Sequence, residues 1–176
     1  MPDEVLTPPD EDDRRPVAGV FGKMPATGDF VWRGLPDAFR KHWDFWLTRH
    51  IAPLRRAGAV FPAGGLRFAL PSGGRLAAGV VCLSHDSAGR HFPLSLLLIA
   101  DGNLARDEID GWCDAALALG PDHLSPDALW HALDSIPAPQ PGGPASGPML
   151  LWLPQGEPVA TDPADPTEAL RGLLLG

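Results

Sequence analysis

The chain has 176 residues, of which 44% are hydrophobic and 20% charged, a balance typical of one globular domain with a buried core. The net charge is −8 and the isoelectric point is about 5, which argues against a general nucleic-acid-binding protein. The apolar run at residues 96–100 is far too short to span a membrane, and the acidic N-terminus lacks the apolar core of a secretory signal. These features predict a cytoplasmic protein.

The charge is unevenly distributed along the chain. Residues 1–16 hold six acids and two arginines, a net charge of −4, while residues 17–90 hold ten bases and four acids, or +6. Residues 91–176 hold two bases and twelve acids, or −10. Such asymmetry can steer association with a charged protein partner. Nucleic acid is a weaker candidate, because the bases are spread over many predicted elements.

The N-terminal segment, residues 1–16, contains three prolines before its first arginine and a run of acids. It cannot bury enough apolar surface to fold, so we predict a disordered acidic tail. The rest of the chain, residues 17–176, is predicted to form a single domain. It begins with a short apolar strand, Val17 to Phe21, that ends at a glycine.

Two clusters that combine glycine and proline are the most informative segments of the chain. The first, residues 22–30, reads GKMPATGDF, and the second, residues 89–94, reads GRHFPL. Glycine permits backbone conformations that other residues resist, and proline fixes φ. Each cluster therefore predicts a loop of defined shape, which either performs chemistry or forms a contact surface.

A long amphipathic helix is predicted after the first cluster. Pro36 stands in the first turn, where helices tolerate proline, and the helix kinks or ends at Pro53, with Gly58 as its latest limit. The apolar stripe at helical spacing comprises Phe39, Trp43, Trp46, Leu47, Ile51 and Leu54. The two tryptophans of this stripe are predicted to lie in the core, whereas Trp32, between the loop and the helix, is predicted to be partly exposed.

Strands and further helices follow without strict alternation, which favours an α+β or mixed-sheet domain over a doubly wound fold. The run at residues 94–100 is apolar at nearly consecutive positions, so we place it centrally in a sheet covered on both faces. Helices are predicted around residues 109–117 and after the N-cap Ser125, and a Pro/Gly-rich loop over residues 137–148. The other predicted strands are Leu66–Leu70, Arg75–Leu83 and Met149–Leu153.

No residue pattern predicts a cofactor or a metal site. Lys23 lacks the preceding glycine and the following hydroxyl residue of a phosphate-binding loop. No histidine pair has zinc-ligand spacing, and His42 and His50, two helical turns apart, are too distant to share one tetrahedral ion. Cys82 and Cys113 are interpreted as core residues rather than as a disulfide or a metal pair.

Catalysis is the alternative to binding. Ser84, His85 and Asp86 are the residue types of a hydrolase triad, but neighbours on an extended segment point to opposite sides. A small hydrolase that uses Ser84 and Asp86 with a nearby histidine, His85 or His91, therefore stays open as a second hypothesis.

Two carboxylates lie beside the shaped loops, and each has an arginine close to it in sequence. Asp29 precedes Arg33 by four residues, and Asp86 precedes Arg90 by four residues. We interpret both pairs as structural, with the carboxylates accepting hydrogen bonds from loop amides and the arginines holding the turns. A direct role in binding a ligand is the alternative.

Several short motifs follow one another in a defined order. They are GxxGKxPxxGDF from Gly19, RGLP from Arg33, WxxW from Trp43, RFAL from Arg67 and GRxFPL from Gly89. In this order they resemble the TagF family, also known as ImpM, of type VI secretion-associated proteins, and the resemblance covers residues 19–100.

The resemblance implies an α/β/α sandwich with a largely antiparallel sheet between helices. It also implies a non-enzymatic, cytoplasmic accessory protein, similar to post-translational repressors of the type VI secretion apparatus. The implied partner is a scaffold protein with a forkhead-associated, phosphothreonine-binding domain, together with the associated kinase–phosphatase circuit. Neither a cofactor nor a metal is expected.

One set of residues is expected either to bind a partner or to organise the two loops. We expect these loops, far apart in the sequence, to converge in space and to form one contact surface, with no catalytic residue. The set comprises Lys23, Asp29, Phe30, Trp32, Arg33, Ser84, Asp86, Arg90 and Phe92.

Overall fold

Seven antiparallel strands form one continuous sheet in the computed structural model, which describes residues 15–24, 27, 30–85 and 90–176. The spatial order of the strands is β2-β1-β5-β4-β3-β6-β7. Helices cover both faces, so the predicted α+β sandwich is confirmed. The strands are β1 (Val17–Lys23), β2 (Phe30–Arg33), β3 (Leu66–Ser72), β4 (Arg75–His85), β5 (His91–Ala100), β6 (Met149–Trp152) and β7 (Val159–Thr161).

The strand β5 lies in the interior of the sheet, next to its middle strand β4, and is covered on both faces as its apolar sequence predicted. It pairs with β1 on one side and with β4 on the other, and its last seven residues are all buried. A strand that is apolar at consecutive positions has apolar side chains on both faces, and both can be buried only when each face of the sheet is covered. The pairing of β1 with β5 joins segments that lie more than sixty residues apart.

A layer of helices covers each face of the sheet and encloses an apolar core. One layer contains α3 (Arg106–Ala118) and α4 (Pro126–Asp134), and Trp112 and Leu129 lie in its apolar cluster. The opposite layer contains α1 (Asp37–Trp46), α2 (Ala52–Arg56) and α5 (Thr167–Leu174), with Trp43 and Trp46 buried beneath them. Among the described residues, no helix has the length and apolar character needed to cross a membrane.

The long N-terminal helix passes through Pro53 instead of ending there. A π-helical turn, Leu47–Ile51, joins α1 to α2, and the Ala52 N–H donates to the Leu47 carbonyl five residues earlier. Pro53 has no N–H to donate, and its ring would crowd the carbonyl four residues before it in a regular α-helix. The wider π turn relieves this conflict, so the helix continues to Arg56.

Two edge strands and the C-terminal helix were not predicted from the sequence. The strand β2 occupies residues assigned to the connection before the first helix, and β7 is only three residues long. Short strands carry too few residues to show an alternating pattern. The N-cap of α4 was predicted correctly, since the Ser125 hydroxyl accepts from the Ala128 N–H at 3.2 Å.

A glycine fixes the turn between β2 and α1. Gly34 has φ of 70°, and a Cβ at this position would overlap the Ala18 carbonyl. The Trp130 indole N–H donates to this same carbonyl at 2.9 Å, which ties α4 to β1. The RGLP segment therefore requires glycine both for its backbone conformation and for this close approach.

A buried ion-pair network joins β3 to α3. The Arg67 guanidinium, 2% exposed, lies 2.8 Å from the Asp110 carboxylate and 2.6 Å from the Asp114 carboxylate. The Trp152 indole N–H also donates to Asp110 at 2.9 Å. A buried arginine is tolerated only when its charge is compensated. The two carboxylates therefore allow Arg67 to be buried.

We expect Asp110→Ala to lower the free energy of unfolding by about 3 kcal/mol, because it removes one carboxylate from a buried cation and the acceptor of Trp152. Asp114→Ala is the matched control. Its carboxylate is 70% exposed, so its loss should cost about 1 kcal/mol or less. Urea unfolding of both variants measures the difference, and equal losses would contradict this account of the network.

Burial raises the pKa of both cysteine thiols, Cys82 and Cys113, to about 12. At pH 8 almost no thiolate forms in the folded protein, so both should react with DTNB only as the protein unfolds. The rate should rise at least a hundredfold in denaturing guanidinium. Reaction of either thiol in native buffer at the rate of free cysteine would contradict this prediction.

Candidate partner-binding surface

The ends of two hairpins lie side by side at one end of the sheet. In the first hairpin Lys23 pairs with Phe30, and in the second Ser84 pairs with Phe92. Because β1 and β5 are neighbours in the sheet, the two hairpins end next to each other. The described residues that flank the two shaped loops thus lie together, although the loops are about sixty residues apart in sequence.

A hydrogen bond from a buried side chain connects the two hairpins. The Ser84 hydroxyl, 1% exposed, donates to the Lys23 carbonyl at 2.7 Å. Gly22 permits this approach, since it has φ of 147° and a side chain there would collide with the Pro93 carbonyl. The serine and the glycine therefore hold the loop-bearing ends together.

Two cationic side chains lie near one aromatic ring at this end of the sheet. The Lys23 ammonium lies 4.1 Å from the centre of the Phe92 ring, and the Arg90 guanidinium lies 5.7 Å from it. Each such cation–π contact at an exposed site contributes about 0.5–1 kcal/mol. The contacts fix the positions of two positive charges at the end of the sheet.

The adjacent edge strand β2 exposes two large aromatic side chains. Phe30 is 58% exposed and Trp32 is 44% exposed, whereas Val31 between them is buried on the other face. The Phe30 ring lies 6.1 Å from Phe21, and the Arg40 guanidinium of α1 lies 4.4 Å from the Trp32 ring. The prediction that Trp32 is partly exposed is confirmed. We call Lys23, Phe30, Trp32, Arg90 and Phe92 the hairpin-end surface.

Arg33 fastens β2 to the helical layer. Its guanidinium lies 2.8 Å from the Asp127 carboxylate of α4 and donates to the Trp32 carbonyl at 2.8 Å. The hydrogen bond from Arg33 lowers the pKa of the Asp127 carboxyl. Asp127 was not singled out from the sequence, because its contact with Arg33 spans 94 residues.

Two of the predicted site residues are not among the residues that the structure describes. Asp29 and Asp86 lie outside the described residues, as does the tail except for Arg15 and Pro16. The proposed Asp29–Arg33 and Asp86–Arg90 pairs therefore stay predictions. The described residues contain no group of three or more histidine, cysteine, aspartate or glutamate side chains that could hold a metal ion.

Comparison with known proteins supplies the family. The TagF N-terminal domain family, described as type VI secretion system-associated, matches residues 19–135, from β1 through α4. The chain belongs to the TagF family. The TagF match includes both hairpins, the whole hairpin-end surface and the Arg33–Asp127 pair. No curated protein matches the chain.

A solved structure supports the same relationship. The crystal structure of PA0076 from Pseudomonas aeruginosa PAO1 is 28% identical in sequence, with a TM-score of 0.51. The similarity covers 87% of this TagF-family chain and 74% of the PA0076 chain. It extends beyond the region matched by the family and so includes elements of the C-terminal part.

The five residues of the hairpin-end surface were named from the sequence, and their partner-binding or loop-organising role stays a prediction. The contacts that hold them in place were not predicted. Ser84 was assigned to the set that binds a partner or organises the loops, with catalysis as the alternative, and its hydroxyl donates to the backbone carbonyls of Lys23 and, at 3.4 Å, Phe92. The lone arginine in the apolar RFAL strand was a signal for a buried ion pair. Asp110 and Asp114, spaced four apart on one helix face, were the matching signal.

We expect Ser84→Ala in this TagF domain to lower the free energy of unfolding by about 1–3 kcal/mol, because the half-buried Lys23 loses the donor to its carbonyl. Ser135→Ala is the control. Its exposed hydroxyl donates to the His131 carbonyl within the end of α4, so its loss should cost less than about 0.5 kcal/mol. Chemical denaturation measures both values, and a Ser84→Ala protein as stable as the wild type would refute the role given to this bond.

Proposed function

We propose that the protein is a non-enzymatic, cytoplasmic regulator of a type VI secretion system that acts after translation by protein–protein contact. Membership of the type VI-associated TagF family supports the system. The observation that carries the contact mechanism is the meeting of two hairpin ends at a surface of exposed aromatic rings and cations. The proposed partner is the scaffold protein with a forkhead-associated domain.

The composition of the hairpin-end surface supports protein binding. Tryptophan and arginine are enriched among the residues that dominate binding energy at protein interfaces. Trp32 is held by the Arg40 guanidinium at 4.4 Å, so its ring is ordered before a partner arrives. Less conformational entropy is then lost on binding, which favours a defined interface.

The charges of this region support a partner with an acidic face. Residues 17–90 carry a net charge of +6, and Lys23, Arg40 and Arg90 lie around the aromatic side chains. Positive groups placed on a rim raise the association rate with a negative surface and make it dependent on salt.

The position of Ser84 supports binding over hydrolysis. A nucleophilic serine must be reached by its substrate, and its hydroxyl must donate to a base. The Ser84 hydroxyl is buried and donates to the Lys23 carbonyl, so neither condition is met in this conformation. The role of Ser84 that follows is to position the hairpins.

We expect the wild-type chain to capture the forkhead-associated scaffold from extract, and Trp32→Ala to weaken this binding about 30-fold. Loss of an aromatic anchor at the centre of an interface costs about 2 kcal/mol, which corresponds to this factor. Phe30→Ala should act in the same direction. Titration of purified scaffold by calorimetry measures the affinities.

The control is Val60→Ser, which changes an apolar side chain, 73% exposed, in the connection between α2 and β3. Its affinity and the thermal unfolding temperatures of all three variants should match the wild type. Failure of the wild-type chain to bind any type VI component would overturn the proposed function. Full affinity in both aromatic variants would overturn the proposed surface.

A further inference from the structure

A cleft opens at the end of the sheet opposite to the hairpin-end surface. Its volume is about 910 Å³, and it lies between the flank of α1 and the ends of three strands. The wall is aromatic, with Phe39, Trp43, Phe45 and Trp46, and Leu76 and Ile99 lie on the floor. Phe45 is 62% exposed, so a large apolar side chain faces open space here.

Two arginines, one of them paired with a carboxylate, lie on the rim of the cleft. Arg49 from the π turn and Arg75 from β4 line it with His42 and His50, and no carboxylate belongs to the described residues that line it. Arg75 forms an ion pair with Asp101 at 2.9 Å, while Arg49 lies 5.8 Å from the centre of the Phe45 ring. An apolar floor with a cationic rim fits an occupant that is apolar and acidic.

The shape of the cleft suits an extended segment. Its helical wall runs from Ala38 to His50, twelve residues or about 18 Å at 1.5 Å per residue. Aromatic-lined grooves of this kind bind proline-containing segments, whose extended conformation is already restricted and loses little entropy on binding.

The N-terminal segment of this chain has that composition and starts from the right place. Residues 5–13 read VLTPPDEDD, two apolar residues and a proline pair followed by four acids. Val17, the first residue of β1, pairs with Ile99 on the cleft floor. Residues 1–14 lie outside the described part, and fourteen extended residues reach about 45 Å, more than twice the cleft length.

Arg15 sets the starting point of this segment. Its guanidinium donates to the Asp134 carbonyl at the C-terminal end of α4. α4 packs on the face of the sheet opposite to the cleft. The preceding chain therefore starts at the end of the sheet where the cleft opens and would have to pass around that end to reach it.

We propose that residues 5–13 bind in this cleft, with Val5, Leu6 and the proline pair against the aromatic wall and the acids against Arg49 and Arg75. The segment is then an internal ligand of high effective concentration. This proposal is independent of the hairpin-end surface and of the forkhead-associated partner.

The test uses the full-length chain with a nitroxide label on Thr7→Cys. Cys113 is buried and Cys82 is half-buried, and the pKa of each thiol is raised to about 12, so labelling favours the new cysteine. We expect the label to reduce the amide NMR signals of Phe45, Arg49 and Ile99 more than twofold relative to the reduced label. Signals of Phe30 and Phe92, at the opposite end of the sheet, should change little.

Arg49→Glu should restore the cleft signals, and 1 M salt should restore them in part, because both weaken attraction of the acids. The matched control is Arg56→Glu, which makes the same change of charge on α2 outside the cleft and should leave the twofold loss intact. Uniform broadening, broadening confined to other surfaces, or cleft broadening that persists in Arg49→Glu would each overturn the proposal.

Discussion

The pairing of β1 with β5 is the constraint on which the rest of the structure depends. It places the segment before the first shaped loop beside the segment after the second, and Gly22 lets the backbones approach. The Ser84–Lys23 hydrogen bond then closes the junction away from solvent. Because β5 is apolar on both faces, it must take a central position, and this position determines which loops become neighbours.

Local patterns were enough to predict the main elements of the fold. The apolar run of β5, the apolar stripe of α1 and the N-cap Ser125 are each patterns of neighbouring residues. Each can therefore be recognised within one short stretch of the sequence. Glycine and proline likewise marked the connections of the two hairpins. The binding role of the hairpin-end surface stays a prediction. The family resemblance added the layer order of the sandwich.

Interactions across long sequence distances could not be predicted in the same way. The partners of Arg67 lie 43 and 47 residues away, and Asp127 lies 94 residues from Arg33. The cleft combines a helix flank with the ends of β3, β4 and β5, so no single segment of sequence predicts it. Such features depend on which elements pack together, and periodicity within an element carries no information about its neighbours.

The short length of β2 has a consequence for how the molecule behaves in solution. An edge strand with unpaired backbone groups and aromatic side chains is a template for pairing with another copy. With four residues, and with Arg33 at its end held by Asp127, β2 offers too little backbone for stable strand exchange. The same side chains can thus stay available to a foreign surface while polymerisation of the protein through its sheet edge is disfavoured.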